Sequence, residues 1–256
     1  MLEALVLAAL VVGSIATLLW VVSLGTEDVS TVDIFWGAAF VVIGWIHWSG
    51  VDAPGPRTWL LFAMVGLWGF RLFAYLGWRN LGKGEDRRYT AMRKAVGPAF
   101  RRRSLYTVFL FQAGLAWVIS LPVQLGSWET GALTGWDVLG AAVWGLGFCF
   151  EAVGDLQLVR FKAVASNAGK VMDRGLWAWT RHPNYFGDFC VWWGIWLVAH
   201  GAGLTWTVFS PLLMSLFLIQ VSGKGLLERD IGERRPGYAE YVRRTSGFIP
   251  LPPKAR

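Results

Sequence analysis

The sequence predicts an all-α membrane protein in which seven helices cross the bilayer. Hydrophobic residues make up 55% of the 256 positions, and the mean hydropathy is +0.44. The apolar runs reach the ~20 residues that a helix needs to cross a hydrocarbon layer ~30 Å thick. Helices are expected because a backbone in lipid must form its hydrogen bonds within its own segment. We therefore predict one polytopic membrane domain over residues 1–256.

Seven stretches have the required length and composition. They are residues 2–24, 32–48, 58–78, 105–124, 136–158, 185–200 and 204–221. The first is uninterrupted, lacks a basic start and has no small-residue cleavage pattern, so we interpret it as a structural helix and not as a signal peptide. The fifth contains acidic residues and the sixth is short, so the pattern defines the bounds of these two least well.

Basic residues are concentrated in three connecting regions. Residues 79–103 contain nine Lys or Arg, residues 160–181 contain five and residues 224–256 contain eight, which together are 22 of the 24 in the chain. Seven spans put all three regions on one side of the membrane, and the positive-inside rule makes that side cytoplasmic. The N-terminus is then outside and the C-terminus cytoplasmic. The net charge of +7 follows from this topology, so no nucleic-acid partner is expected.

The cysteines and histidines exclude several kinds of chemistry. Cys149 and Cys190 lie in predicted spans without a motif partner, so neither a disulfide framework nor a thiolate metal site is expected. His47, His182 and His200 are too few and too scattered to hold a di-iron centre, and we expect no metal. The sequence also lacks a Ser-His pairing of the hydrolase type, a Walker loop and a dinucleotide-binding glycine motif.

Ionisable residues inside the predicted spans are the first indication of a site. These residues are Asp33, Arg71, Glu151, Asp155 and Asp188. Glu151 and Asp155 are four residues apart and therefore share one helix face. Each residue alone is compatible with a structural contact between helices, but on the predicted topology all five fall in the cytoplasmic half. We expect a polar cavity that opens to the cytoplasm.

The densest polar cluster is the run RHPNYFGD at residues 181–188, which leads into an apolar stretch. A carboxylate such as Asp188 is costly to place against lipid, so it is expected to face a hydrated cavity lined by protein. Asn184 lies one helical turn before it, and both side chains are therefore able to address one polar ligand.

Four motifs carry a resemblance to a known family. They are DIFWG (33–37), WGFRL (68–72), GEDRRY (84–89) and RHPNYFGD (181–188). The chain resembles the bacterial branch of the steroid 5-alpha-reductase-like membrane proteins, DUF1295, over nearly its whole length. The last motif is shared in looser form with sterol reductases and isoprenylcysteine carboxyl methyltransferases. The resemblance implies a seven-helix protein of the bacterial inner membrane whose active site faces the cytoplasm.

The resemblance also implies a cofactor and separate regions of the chain for substrate and cofactor. Residues 1–104 would form the side that receives a lipid substrate from the bilayer, and residues 105–256 the side that binds NADPH. Asn184 and Asp188 match cofactor-binding residues of the reductases, and Glu151 with Asp155 matches their polar pair. The other expected cofactor residues are Lys162, Lys170, Arg174, Arg181, His182, Tyr185, Glu228 and Tyr241.

The substrate side departs from the steroid enzymes. Their Gln-Glu pair is absent from the second span, and Trp68 stands where they have a tyrosine that donates a proton. Asp33, Arg71 and Tyr89 are the candidate catalytic groups here, with Arg71 polarising an oxygen and Asp33 orienting Arg71. Trp36 and Trp68 would form the walls for the substrate. An Asp33–Arg71 pair is equally compatible with a structural link between the second and third spans.

Three functions remain open from the sequence. The first is NADPH-dependent reduction of a carbon–carbon double bond in a lipid, either a steroid-like enone or an unsaturated lipid. The second is a membrane methyltransferase that uses S-adenosylmethionine, and the third is a lipid-binding protein without enzymatic activity. Phosphate groups prefer arginine, and the bases before Asn184 favour the first function. The expected partners are the lipid substrate and membrane lipids, without an obligate protein partner.

Overall fold

The computed structural model describes residues 1–221 and 235–254. The elements in these ranges are α-helices and short 3₁₀ or π turns, and the described residues contain no β-strand, only an isolated bridge between Thr180 and Ser246. The prediction of an all-α protein is confirmed.

Twelve α-helices are described. They are α1 Leu2–Thr26, α2 Thr31–Ser49, α3 Pro56–Asn80, α4 Arg87–Val96, α5 Phe100–Ser104, α6 Phe111–Ile119, α7 Leu121–Gly126, α8 Gly135–Ala163, α9 Leu176–Trp179, α10 Pro183–Gly201, α11 Phe209–Leu216 and α12 Tyr238–Arg244. Short 3₁₀ turns cover Gly97–Ala99, Ala165–Asn167 and Thr205–Val208, and π-helical turns cover Leu105–Leu110 and Phe217–Val221.

Four of these helices are long and apolar enough to cross a membrane: α1, α2, α3 and α8. They correspond to the first, second, third and fifth predicted spans. The sixth predicted span is the 19-residue helix α10, and the seventh consists of a 3₁₀ turn, α11 and a π turn. A membrane protein is thus indicated, and the count of seven spans stays a prediction.

The fourth predicted span, residues 105–124, is not a continuous α-helix. It contains the π turn Leu105–Leu110, then α6, and a break at Ser120 before α7 begins. The break has a simple cause, because Pro122 lacks an N–H and its ring crowds the backbone of the preceding turn. Hydropathy does not register such breaks, since the residues on both sides are apolar.

The chain divides into two compact units. Unit 1 comprises Met1–Asp137 and Val198–Thr207, and unit 2 comprises Val138–Leu197 and Val208–Arg256. The single membrane domain with a substrate half and a cofactor half stays a prediction.

Unit 1 contains a buried ion pair that the sequence analysis did not identify. Arg57 at the start of α3 binds Asp137 at the start of α8 through two hydrogen bonds of 2.8 and 2.9 Å. The same carboxylate accepts from the backbone N–H and the hydroxyl of Thr134, and Arg57 also donates to the carbonyl oxygen of Ala132. Both charges are therefore compensated by several partners, as burial requires.

In unit 2, α8 and α10 run antiparallel and meet along glycine residues. A Cβ atom on Gly147 would lie 2.5 Å from the carbonyl oxygen of Gly187, and one on Gly194 would lie 2.6 Å from that of Gly140. These distances leave no room for a side chain, so the two backbones touch directly. We call this contact the glycine seam; it brings the polar residues of the two helices close together.

Candidate functional site

Unit 2 brings together the polar residues predicted on α8 and α10. Glu151 and Asp155 are each 4% exposed and Asp188 is 9% exposed. The side-chain amide of Asn184 donates to Asp155 Oδ1 at 3.4 Å. The glycine seam explains the proximity, because a Cβ atom on Gly187 would lie 2.6 Å from the backbone nitrogen of Glu151. We call Glu151, Asp155, Asn184 and Asp188 the acidic cluster.

The predicted residues next to this cluster lie at the start of α10. Pro183 begins the helix, a position where its missing N–H has no helical acceptor to lose. His182 is buried, and its ring is nearly parallel to that of Tyr185, with ring centres 5.5 Å apart. The backbone N–H of His182 donates to the hydroxyl of Thr180 at 3.3 Å. The helix start is thus held in one conformation by packing and a local hydrogen bond.

A C-terminal stretch holds the loop before α10. Thr180 donates its hydroxyl proton to the carbonyl oxygen of Phe248 (2.7 Å). The backbone N–H of Arg181 donates to the carbonyl oxygen of Ser246 (2.9 Å). The N–H of Leu251 donates in turn to the carbonyl oxygen of Trp179 (3.0 Å). We call residues 238–251 the C-terminal clasp.

Two predicted cofactor residues form contacts of this clasp: Tyr241 lies in it and Arg181 binds to it. Arg181 Nη1 donates to the carbonyl oxygens of Thr245 (2.8 Å) and Val242 (3.3 Å) near the end of α12. Tyr241 donates its hydroxyl proton to the carbonyl oxygen of Trp177 (2.6 Å). Carbonyl groups at a helix C-terminus lack helical partners and attract cations. One arm of the Arg181 guanidinium thus supports the clasp, and the phosphate contact expected from sequence stays a prediction.

The remaining predicted bases are exposed. Lys162 lies at the end of α8, and Lys170 and Arg174 lie in the loop that follows. The carbonyl oxygen of Lys170 accepts from Arg235 Nη1 at 2.8 Å. Glu228 lies outside the described residues.

An open cavity of about 360 Å³ lies between this loop and the clasp. The Arg244 guanidinium is 3.6 Å from Asp173 and 3.5 Å from Glu240, and Tyr241 forms part of the wall. The other lining residues are Val171, Pro236 and Gly237. Small-molecule sites commonly measure roughly 300–1,000 Å³, and this cavity lies at the lower end of that range.

Unit 1 contains a second polar cluster, formed by Asp33, Arg88, Tyr89 and Gln112. Asp33 Oδ2 accepts from Arg88 Nη2 and Asp33 Oδ1 accepts from the Tyr89 hydroxyl, both at 2.5 Å. Gln112 Nε2 donates to the same hydroxyl at 3.0 Å. The cation that contacts Asp33 is thus Arg88, whereas the sequence analysis expected Arg71. The end of α3 lies beside the start of α2, where a Cβ atom on Gly77 would be 3.7 Å from the Ile34 side chain, and Arg88 follows α3 closely in the chain.

The charges in this cluster stabilise one another. Burial raises the pKa of Tyr89 far above its ordinary value, and the negative charge of Asp33 raises it further. Burial alone would lower the pKa of Arg88, but the carboxylates of Asp33 and Asp86 outweigh it and the pKa is raised. Arg88 is therefore charged and Tyr89 neutral at pH 7, and the phenol proton is donated to Asp33.

The other substrate-side residues lie along α2 and α3. The Arg71 guanidinium is 5.9 Å from the centre of the Tyr75 ring. Trp36 and Trp68 both pack edge-on against Phe40, with ring centres 5.1 and 5.3 Å away. Trp68 is fully buried and belongs to the core of unit 1, while Trp36 is partly exposed.

Sequence reasoning missed Arg88 and Gln112. Arg88 is part of the motif GEDRRY, next to Tyr89, and its place in that motif could have indicated a role in the site. Gln112 is a polar residue within an apolar predicted span, a combination that often marks a hydrogen bond between helices. Within residues 1–221 and 235–254, no group of three or more His, Cys, Asp or Glu is arranged to hold a metal ion.

The fold and the two clusters define a class: a helical membrane-type protein with polar side chains buried between its helices. A family model described as "Protein of unknown function (DUF1295)" matches residues 19–245, and the chain belongs to this family. The predicted DUF1295 membership is confirmed. The chain is also 25% identical over 269 aligned positions to a Schizosaccharomyces pombe protein named "Uncharacterized protein C594.04c", covering 92% of this chain and 76% of that protein. No solved structure matches the chain.

Proposed function

We propose that this protein is an enzyme of the bacterial inner membrane, related to the steroid 5-alpha-reductases, that uses NADPH to reduce a carbon–carbon double bond in a lipid. The observation that carries the proposal is the acidic cluster. Its Asp155–Asn184 hydrogen bond joins two helices, and a buried carboxylate lies one turn away on each of them. A cluster of this kind, next to a loop with exposed bases, matches the chemistry of a dinucleotide.

The donors and acceptors suit the two ends of the cofactor. Carboxylates accept hydrogen bonds from ribose hydroxyls, and the Asn184 amide both donates and accepts, as recognition of a carboxamide requires. The phosphate groups need cations, which Lys162 at the end of α8 and Lys170 and Arg174 in the following loop supply. His182 and Tyr185 keep the start of α10 in position, and the C-terminal clasp keeps the loop beside it.

The reaction also needs a group that stabilises negative charge on the substrate. NADPH supplies a hydride to one carbon of the double bond, and a proton completes the product at the other carbon. In an enone the charge develops on the carbonyl oxygen, so a cation or a hydrogen-bond donor close to that oxygen lowers the barrier. We assign this role to Arg71, a cation that lies within the apolar helix α3 of unit 1.

The proposed topology keeps seven spans, with the N-terminus outside and both the C-terminus and the active site on the cytoplasmic side. The aromatic residues of α3 support it. Trp59 and Trp78 are both exposed near opposite ends of the helix, and nineteen residues correspond to about 28 Å at 1.5 Å per residue. Tryptophan concentrates at both membrane interfaces. Exposed bases follow Trp78 in the chain, which fits a cytoplasmic location for that end.

A second function is favoured by one observation. Three carboxylates are buried in the acidic cluster. The sulfonium of S-adenosylmethionine is a cation that would compensate their negative charge. Methyl transfer is therefore the alternative. It uses the same cluster but does not require the exposed bases of the loop.

Ligand-dependent stability of the detergent-solubilised protein tests the proposal. A ligand that binds only the folded state adds about 2.7 kcal/mol at a hundredfold excess over Kd. We expect NADPH to raise the unfolding temperature, and Asn184→Ala and Asp188→Ala to remove this rise. Asp52→Ala, which changes an exposed acid of unit 1, is the matched control and should respond as the wild type does.

Other results of this ligand test would support the methyltransferase or the lipid-binding function. A rise with S-adenosylmethionine and none with NADPH or NADH would identify a methyltransferase. If none of the three ligands changes the unfolding temperature, the reductase proposal is wrong and a lipid-binding role remains.

A further inference from the structure

Some arginines between α3 and α6 are required by the fold. Arg93 binds Glu85 through hydrogen bonds of 2.6 and 3.1 Å and donates to the carbonyl oxygen of Glu27 at 3.0 Å. Arg101 donates to the carbonyl oxygen of Leu24, also at 3.0 Å. These contacts attach the segment to the end of α1, where helix carbonyls lack partners.

Other bases of the same segment do not form such contacts with the end of α1. The bases that are exposed and make no ion pair within the described ranges are Lys83, Arg87, Lys94, Arg102 and Arg103. Arg87 and Lys94 are seven residues apart in α4 and therefore lie on one face of the helix. The buried Tyr89 lies on the opposite face. We call these five bases the basic face.

Nearby carboxylates do not neutralise the basic face. Glu85 is bound by Arg93, and Asp86 is bound by the side chain of Arg88 at 2.9 Å. The segment therefore separates its charges into pairs that hold the fold and an excess of positive charge that points into solvent.

Aromatic side chains lie next to the basic face. Tyr106, one turn after Arg102, is 68% exposed, and Trp78 at the end of α3 is 65% exposed. The Lys83 ammonium lies 5.9 Å from the centre of the Trp78 ring. Tyr and Trp concentrate at the level of lipid headgroups, with the apolar ring towards the chains and the polar edge towards water.

We propose that the basic face binds the phosphate groups of anionic phospholipids. Charge complementarity carries the assignment, and the exposed aromatic rings beside the bases favour a membrane surface over a nucleic acid. Clusters of Lys and Arg next to a membrane-spanning helix attract anionic headgroups, and salt weakens this attraction. The inference is independent of any cofactor or reaction, since it involves none of the proposed catalytic or cofactor-binding residues.

Lipid-dependent stability in detergent micelles tests this inference. Phosphatidylglycerol should raise the unfolding temperature of the wild type, whereas phosphatidylcholine or inorganic phosphate at equal concentration should not. In Arg87→Gln/Arg102→Gln/Arg103→Gln we expect at least half of the rise to disappear. The charge-matched control is Arg160→Gln/Arg243→Gln/Lys254→Gln, which removes three exposed bases of unit 2 and should keep the rise.

Several results would overturn the inference. They are an unchanged rise in the basic-face variant, an equal loss in the control, and an equal rise with phosphatidylcholine or inorganic phosphate. The single variants Arg102→Gln and Arg103→Gln serve if the triple variant is not recovered folded, and each should then reduce the rise. The rise in the wild type should also disappear at about 1 M salt, where the screening length is about 3 Å.

Discussion

The Arg57 guanidinium and the Asp137 carboxylate face each other side by side, with two parallel hydrogen bonds between them and almost no exposure to solvent. Arg57 is 3% exposed and Asp137 is 1% exposed, although 80 positions separate them in the chain. Two parallel hydrogen bonds of this kind are typical of arginine with a carboxylate or a phosphate. Neither residue is part of the proposed site, so the pair is a structural element of unit 1.

Removal of one partner of this pair should destabilise the protein strongly. Asp137→Asn or Arg57→Met leaves one buried charge without compensation, which typically costs about 3–5 kcal/mol. We expect a large drop in unfolding temperature, measured in detergent by intrinsic tryptophan fluorescence. The double variant Arg57→Met/Asp137→Leu should recover part of the loss, because it leaves no charge behind. Wild-type stability in Asp137→Asn would contradict the role assigned to the pair.

The glycine seam predicts a contrast between two neighbouring positions of α8. Gly147→Ala places a methyl group 2.5 Å from the carbonyl oxygen of Gly187, so α8 and α10 must separate. At Gly145 nothing lies within 4 Å of an added Cβ atom, and alanine favours a helix over glycine by roughly 0.5–1 kcal/mol. We expect Gly147→Ala to lower the folded yield and the unfolding temperature, while Gly145→Ala preserves or improves both. Equal behaviour of the two variants would argue against a close backbone contact.

Acid should weaken the attachment of α4 in a defined direction. Burial alone would raise the pKa of Glu85, but its hydrogen bonds to Arg93 and to the N–H of Val29 outweigh burial and lower it. A carboxyl whose pKa is lowered by folding stabilises the protein above its unfolded pKa, and this contribution is lost as the pH falls through the folded value. Unfolding temperatures of the wild type and Glu85→Gln should therefore differ at pH 7 and converge as the pH falls below about 4. A difference that is independent of pH would mean that the charge of Glu85 does not matter.

Arg71 and Tyr89 should respond differently to substitution if the proposed reductase activity is correct. Arg71→Met should abolish turnover of the lipid while NADPH still raises the unfolding temperature, since the proposed role of Arg71 is on the substrate. Tyr89→Phe removes a hydrogen bond to Asp33, with a loss of stability of about 1 kcal/mol, and should keep turnover. The measurements are NADPH oxidation with a lipid substrate and thermal unfolding of each variant. Near wild-type turnover in Arg71→Met would move the polarising group elsewhere.

The sequence predicted the helices whose ends coincide with polar turns. Residues 32–48 were expected to be helical, and the helix is Thr31–Ser49, because Ser30 and Gly50 interrupt the apolar run on either side. The fourth predicted span failed as a continuous helix, since the effect of Pro122 and the π turn at Leu105–Leu110 is on backbone geometry, which hydropathy does not measure.

The candidate site was predicted in part. Helical periodicity predicted that Glu151 and Asp155 share one helix face and that Asn184 and Asp188 share another. In the structure the Asp155–Asn184 hydrogen bond joins the two pairs. The sequence did not show which cation contacts Asp33, because Arg71 and Arg88 both follow Asp33 in the chain and their spacing does not distinguish them. The structure shows that it is Arg88. The glycine seam was visible as a seven-residue spacing of Gly140 with Gly147 and of Gly187 with Gly194, and it was not recognised as a contact.

The seven-residue spacing along the glycine seam has a mechanical consequence. Small residues at heptad positions keep one stripe of each helix against its neighbour, which is the arrangement of a shallow left-handed crossing. Where backbone meets backbone at these glycines, α8 and α10 can neither slide nor roll without a clash. Entry and exit of any ligand at the acidic cluster must then rely on movement of the loop before α10 and of the C-terminal clasp, where hydrogen bonds open individually. The turnover rate of such a site would be governed by that opening, and its selectivity by the two helices that do not move.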